Sequence, residues 1–205
     1  MIVLYGMTDS GNCYKPRLLL AKLGLPFTHV EVSSRDGSTC TPDFLRRNPN
    51  AMVPLLELED GRPLAESNAM LLHLAEGTRF LPRDSYERAL AYQWLFFEQY
   101  SHEPYIAVRR ALLTYPERAA VATPERLALT LERGNKALAV MEAHLAEHDF
   151  FAGKALSVAD IALYAYTHTA EEGGFSLRDH PRVSAWLRRV EEDPGHVPLQ
   201  WVPDA

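Results

Sequence analysis

Hydrophobic positions in the first third of the chain come in short runs broken by turn residues, a pattern that predicts alternating strands and helices. Ile2-Val3-Leu4-Tyr5 reads as a buried strand and Gly6 to Gly11 as a loop; Leu18, Leu19, Leu20, Ala21 and Leu23 mark a helix running from Pro16 to a closing Gly24. Phe27 to Val32 reads as a strand with Phe27, His29 and Glu31 on one face, so its two sides are poorly sorted. Thr41 and Pro42 predict an N-cap and a first helical residue. Asn48 to Met52 is a turn, Leu55 to Leu58 a strand, Asp60-Gly61 a hairpin turn, and Arg62 to Ala65 the returning strand. Ser67 is then expected to cap a helix carrying Ala69, Met70, Leu72, Leu74 and Ala75. The predicted order is βαβαββα.

Beyond this the pattern is helical almost throughout. Tyr86, Leu90, Trp94 and Phe97 fall on one helix face, with further helices expected over 127–145, 158–166 and 183–190. Trp94, Phe96 and Phe97 are expected in the core. Ser157 and Asp160 are spaced as a capping box, with Leu156 and Ile161 as its hydrophobic staple, so Asp160 is assigned to folding and its loss should cost about 1 kcal/mol or more. The expected organisation is an α/β domain over 1–77, a linker over 78–84 and an all-helical domain over 85–205, which suits a chain of 205 residues.

A net charge of −6 and a pI near 5.7 argue against nucleic acid or an anionic membrane as partner, since there is no basic excess to neutralise phosphates. The apolar runs are shorter than a membrane span, and Met1 to Met7 lacks the pattern of a signal peptide, so a cytoplasmic location is expected. Two cysteines, Cys13 and Cys40, without a paired framework fit a reducing compartment. His144 and His148 share a helix face at metal-ligand spacing, but no third ligand is evident nearby and no metal is expected.

Candidate chemistry clusters in the α/β part. Pro54 must stand at the entrance of its strand, where a cis bond would turn the chain and leave the Val53 N–H and C=O free to pair with a bound peptide as an added strand would. Ser67 lies where a helix N-terminus favours a carboxylate, and Glu66 beside it would attract an ammonium group. Together they suit an α-amino acid. The competing reading is that Ser67 merely caps its helix and Glu66 is a surface carboxylate.

Leu4 to Lys15, reading LYGMTDSGNCYK, resembles the active-site loop of serine-type cytosolic glutathione transferases of bacterial and theta- or delta-like kinds. Asn48 to Pro54 resembles the family's cis-proline loop, Glu66-Ser67 its γ-glutamyl site, and Leu156 to Ala162 the capping motif of its helical domain. The resemblance implies a thioredoxin-like domain followed by a helical bundle, glutathione as co-substrate without a metal, a role in detoxification, and a homodimer. It further implies glutathione contacts at Val53, Pro54, Glu66 and Ser67. The activity implied is attack of the glutathione thiolate on a small apolar electrophile, with a peroxidase side activity.

Ser10, Asn12 and Cys13 are the candidate activating residues. Disulfide oxidoreductases of thioredoxin-like architecture carry C-x-x-C where this chain has Ser10-Gly11-Asn12-Cys13. An alcohol cannot form a mixed disulfide, but it can donate a hydrogen bond to a ligand's thiolate. A free thiol with a pKa of about 8.5 is only about 3 per cent ionised at pH 7, and lowering that pKa by about two pH units corresponds to about 2.7 kcal/mol. Asn12 could equally cap the first helix, and Cys13 could be a small buried hydrophobe. Two other functions stay open: a non-catalytic glutathione-binding regulatory module, and a Cys13-dependent thiol transferase or dehalogenase.

The chain departs from the family pattern at Ala51 and Met52, where relatives place His, Gln or Lys for the glycyl end of glutathione. Arg35 and Thr39 are the candidates for that carboxylate, with a solvated loop as the alternative. Pro16 sits at the edge of where a first-turn proline is tolerated. Glu98, His102, Tyr105 and Arg109, at spacings of four, three and four, share a helical stripe that would line the electrophile pocket or form a helix's wet side.

Overall fold

The computed structural model describes residues 1–203. Strands β1 (Ile2–Gly6), β2 (Phe27–Glu31), β3 (Leu55–Glu57) and β4 (Pro63–Ala65) form one sheet in the order β2-β1-β3-β4, interleaved with helices α1 (Gly11–Leu23), α2 (Pro42–Arg47) and α3 (Ser67–Ala75). The βαβαββα order is the one expected. β1 pairs with β2 in parallel across the α1 crossover, while β3 and β4 are antiparallel, as the hairpin turn between them requires. Leu4, Leu18, Leu19, Leu20, Phe27, Leu55, Leu56, Met70 and Leu71 fill the interior between sheet and helices.

Two local expectations change. α1 begins at Gly11, well before Pro16, because Ser10 caps it by accepting the Cys13 N–H. Pro16 therefore lies inside the helix, at a position where it has no N–H to give to the helical ladder. The other end is as expected: Gly24 takes φ 64° and its N–H reaches back to carbonyls of the last turn.

Helices α4 (Ser85–Phe97), α5 (Glu103–Thr114), α6 (Pro124–His144), α7 (Val158–Thr167) and α8 (Pro181–Glu192) make the second unit. α4 runs into α5 through a π-helical turn at Glu98–His102, which breaks the regular 3.6-residue register assumed for the stripe from Glu98 to Arg109. Trp94 is buried, whereas Phe96 is 74 % exposed and does not belong to the core. The inward face of α4 carries Ala91, Trp94 and Leu95, which leaves Phe96 pointing away.

The chain divides into two compact units, Met1–Glu76 with the segment from Pro194 onward, and Gly77–Asp193. The C-terminal segment, expected in the helical domain, instead packs on the first unit: the Tyr14 hydroxyl donates to the Val197 carbonyl, and Trp201 meets Phe27 edge-on with centroids 6.2 Å apart. The stretch expected as a linker is likewise part of a core. Phe80 and Leu81 are buried, and the Phe80 carbonyl accepts the Val158 N–H at 2.9 Å.

The capping box at Ser157 forms as expected and does more than cap. Asp160 accepts from the Ser157 N–H and hydroxyl, both at 2.9 Å, from the Phe151 N–H at 3.1 Å and from Trp186 Nε1 at 2.9 Å, all buried. One carboxylate thus ties α7, the loop before it and α8 together. Removing it strands several buried donors, each costing about 1–3 kcal/mol. Asp160→Ala should lower the unfolding free energy by about 3 kcal/mol or more, read by denaturant titration of Trp186 fluorescence, with glutathione affinity unchanged in the folded fraction. A variant of normal stability with lost ligand affinity would contradict this assignment.

Candidate functional site

The site is assembled where the first turns of α1 and α3 meet. Ser67 was expected to cap α3, but it is the first helical residue; Glu66 occupies the cap position and makes no side-chain capping bond. The Ser67 hydroxyl reaches across to α1 instead, donating to Asn12 Oδ1 at 3.3 Å and accepting from Lys15 Nζ at 3.4 Å. The reading of Ser67 as a mere cap is therefore excluded by geometry. α3 presents an N-terminus without a side-chain cap, against the N-terminus of α1 and a buried ammonium.

Glu66 is exposed and takes φ 68°, a left-handed conformation that a non-glycine residue adopts only at a cost of about 1–3 kcal/mol, and such residues concentrate at ligand sites. The Val53-Pro54 bond is cis. Among the described residues neither the N–H nor the C=O of Val53 meets a hydrogen-bond partner, as the sequence reading required. The loop before it is held by buried Asn48, whose Nδ2 donates to the Met52 carbonyl at 2.8 Å and whose Oδ1 accepts the Asn50 N–H at 3.1 Å.

Ser10 stands at the mouth of α1, half-buried. Its oxygen accepts the Cys13 N–H at 3.4 Å, and its hydroxyl also hydrogen-bonds the Cys13 sulfur. Asn12, weighed as a possible cap, is the second residue of the helix, and its amide oxygen is engaged by Ser67. Cys13 is fully buried and accepts the Met7 N–H at 3.3 Å. Burial pushes its thiol up to about 11 despite the opposing hydrogen bonds from Ser10 and Met7. A thiol in that state is neutral at physiological pH and packs as a small hydrophobe.

Two cations in α1 went unnoticed in the sequence. Lys15 and Arg17 are both fully buried. Arg17 Nη2 donates to the Thr8 carbonyl at 2.8 Å and also to the Leu199 carbonyl, so it fastens the β1–α1 loop to the C-terminal segment. Glu31 grips the same loop from β2 by accepting the Thr8 N–H at 3.2 Å and the Thr8 hydroxyl. Burial disfavours the Glu31 charge, but Thr8 and His29 outweigh it and hold the carboxyl below its usual value. The signal was there to read: two charges inside Lys15-Pro-Arg-Leu-Leu-Leu20, a stretch otherwise apolar.

The remaining candidates are placed differently from the picture the sequence suggested. Arg35 is paired with Asp9 at 3.0 Å, and Thr39 is buried with 1 % exposure in a 3₁₀ turn, not in a solvated loop. Glu98 and His102 are buried in the π turn, His102 Nε2 lying 2.9 Å from Thr167 Oγ1. Arg109 is committed to backbone, donating to the Gly173 carbonyl at 2.6 Å and to that of Leu127. Tyr105 is half-exposed, as is Arg109. His144 and His148 stack with ring centroids 4.2 Å apart, and among the described residues no three His, Cys, Asp or Glu side chains group as metal ligands.

Residues 9–76 match the family model for the glutathione S-transferase N-terminal domain, and residues 92–194 match that for the C-terminal domain. The chain belongs to the glutathione S-transferase family. It is 49 % identical to a glutathione S-transferase from Pseudomonas fluorescens Pf-5 whose crystal structure superposes with a TM-score of 0.93, covering 97 % of this chain and 98 % of that one. Glutathione S-transferase 2 of Anopheles gambiae is 30 % identical over 95 % of this chain and 93 % of its own length. A further glutathione transferase family member from Pseudomonas fluorescens Pf-5, solved with two glutathione molecules bound, is 25 % identical with a TM-score of 0.81, over 95 % of this chain and 89 % of that one. Among the described residues, no helix of this glutathione S-transferase family protein is long and apolar enough to cross a membrane.

The buried Cys13 thiol generates a signed pH dependence. Its pKa is about 11 in the folded protein against 9.0 for the same thiol in water, so between those values the unfolded chain releases a proton that the folded chain keeps. Stability should therefore fall as pH rises through this window, by about 3 kcal/mol in total from this group. The stability advantage of wild type over Cys13→Ala should shrink by about 2 kcal/mol between the two pH values, and iodoacetamide at neutral pH should label only the exposed Cys40. A pH-independent difference, or labelling of Cys13 in the native state, would overturn the assignment.

Proposed function

We propose that the protein is a glutathione transferase in which Ser10 stabilises the glutathione thiolate for attack on a small apolar electrophile. The observation that carries this reading is the meeting of α1 and α3 through Ser67 and Asn12, with Ser10 capping α1 beside them. The γ-glutamyl carboxylate would lie at the open N-terminus of α3, its ammonium beside Glu66, and the cysteinyl backbone against Val53. The sulfur would then come to the Ser10 hydroxyl at the N-terminus of α1. There the hydroxyl proton, turned from the Cys13 sulfur to that of the ligand, together with the helix dipole, favours the ionised form. The thiolate forms a carbon–sulfur bond as a halide or comparable group departs with the bonding electrons, or adds to an activated double bond that then takes up a proton. Binding, ionisation and alignment are the protein's contribution.

Arg35 remains the proposed partner of the glycyl end, by exchanging Asp9 for the ligand carboxylate, whereas the burial of Thr39 removes it from that role. Of the Glu98, His102, Tyr105, Arg109 stripe, Tyr105 is neither buried nor committed to backbone carbonyls, and it remains the proposed contact for the electrophile. In line with the family resemblance we extend the proposal to a cytoplasmic homodimer active in detoxification. The alternative in which Cys13 is the nucleophile is disfavoured by its complete burial and raised pKa.

Ser10→Ala removes both the cap and the donor, with separable consequences. Loss of the cap should cost about 1 kcal/mol of stability. Loss of the donor should raise the pKa of bound glutathione by about one to two pH units, followed by thiolate absorbance, and lower kcat/KM for a chloronitrobenzene about 10- to 100-fold, with Ser10→Thr restoring both. Equal ionisation in wild type and Ser10→Ala would remove the activating role. Glutathione binding with no turnover by wild type would favour the non-catalytic module.

A further inference from the structure

At the far end of α1, about 15 Å along the helix from its catalytic mouth, the first unit holds a cavity of about 750 Å³ that the glutathione chemistry does not use. It is bounded by the end of α1, the start of the edge strand β2, and the returning C-terminal segment, with Leu20, Leu25, Phe27, Val197, Trp201 and Val202 supplying its apolar walls. The segment is seated closely on α1. A Cβ on Gly195, at φ 79°, would fall 2.8 Å from Lys22 Cα, so only glycine fits where the wall turns.

The size lies within the range of about 300–1,000 Å³ typical of sites for drug-sized ligands. Among the described residues no lysine, arginine, aspartate or glutamate lines the cavity, and the ammonium of exposed Met1 in its lining is paired with Glu59 at 3.7 Å, so a charged ligand would be desolvated without a buried, unpaired counter-charge. Its polar lining residues are Thr28 and His29. The His29 side chain is only 7 % exposed, with Nε2 engaged by Glu31 at 3.1 Å and Nδ1 buried without a hydrogen-bond partner. The Thr28 hydroxyl has the Met1 sulfur at 3.8 Å, a weak acceptor. Phe27 and Trp201, set edge to face at 61°, offer aromatic surface to a flat ring.

We propose that this cavity is a second binding site, distinct from the glutathione site, for a neutral ring-bearing molecule with a single hydrogen-bonding group. The ring lies against Trp201 and Phe27, and the polar group is received by Thr28 and His29. A permanently charged ring compound is disfavoured, because among the described residues the lining's one charge, the Met1 ammonium, belongs to an exposed residue and is already paired with Glu59.

N-phenyl-1-naphthylamine, a neutral amine that brightens in apolar surroundings, is a suitable probe for the full chain. It should bind with the same affinity with and without saturating S-hexylglutathione, and accept energy from Trp201, with the transfer lost in Trp201→Leu. Ala21→Phe, which fills the cavity from α1, and Val202→Phe, which fills it from its exposed rim, should each weaken binding about tenfold or more. Val202→Phe keeps the test decisive should Ala21→Phe fail to fold. The anionic 8-anilinonaphthalene-1-sulfonate should bind about tenfold more weakly than the neutral probe. Displacement by S-hexylglutathione, unchanged affinity in folded fill variants, or equal binding of the anion would each overturn the proposal.

Discussion

Two helix N-termini held against each other are the constraint on which the site depends. Each carries the equivalent of about half a positive charge, so there is a mutual repulsion between them. The Ser67–Asn12 hydrogen bond offsets it in part, and the Lys15 ammonium adds to the positive potential. An anion placed at this junction would be attracted by both helix ends and by the ammonium, which is the physical basis for proposing that the start of α3, with Glu66 making no capping bond, receives a carboxylate.

Ser10 works within the same field. Its oxygen satisfies one of the orphan donors of α1 while its hydroxyl hydrogen-bonds the Cys13 sulfur, and the proposed chemistry would redirect that proton to the ligand. Arg17 from below and Glu31 from β2 fix the loop that carries it, which keeps the hydroxyl in place without closing the site. Cys13 contributes packing: Gly6 gives its sulfur room, since a Cβ there would come within 2.8 Å of Sγ.

What could be read from the sequence was local. The strand and helix order, the cis bond before Pro54, the αL position of Gly24 and the Ser157–Asp160 box each depend on residues within one turn or one hairpin, and all form as the pattern implied. What escaped was long-range. Nothing near Leu199 announces that its carbonyl meets Arg17, so the C-terminal segment was assigned to the wrong unit. The π turn at Glu98–His102 has no periodic signature, and it undid a stripe argument built on regular helical spacing. Ser67 illustrates the boundary between the two: its helix was predicted, but its bond to Asn12 joins elements 55 residues apart.

The junction of α1 and α3 is tested most directly by calorimetry on wild-type protein with glutathione and with glutathione whose glutamyl α-carboxylate has been converted to the carboxamide. The charge is removed while the shape is nearly kept. The account predicts that the carboxamide binds at least about tenfold more weakly, the worth of one charge-assisted contact. Equal affinities would mean that the paired helix ends do not hold that carboxylate.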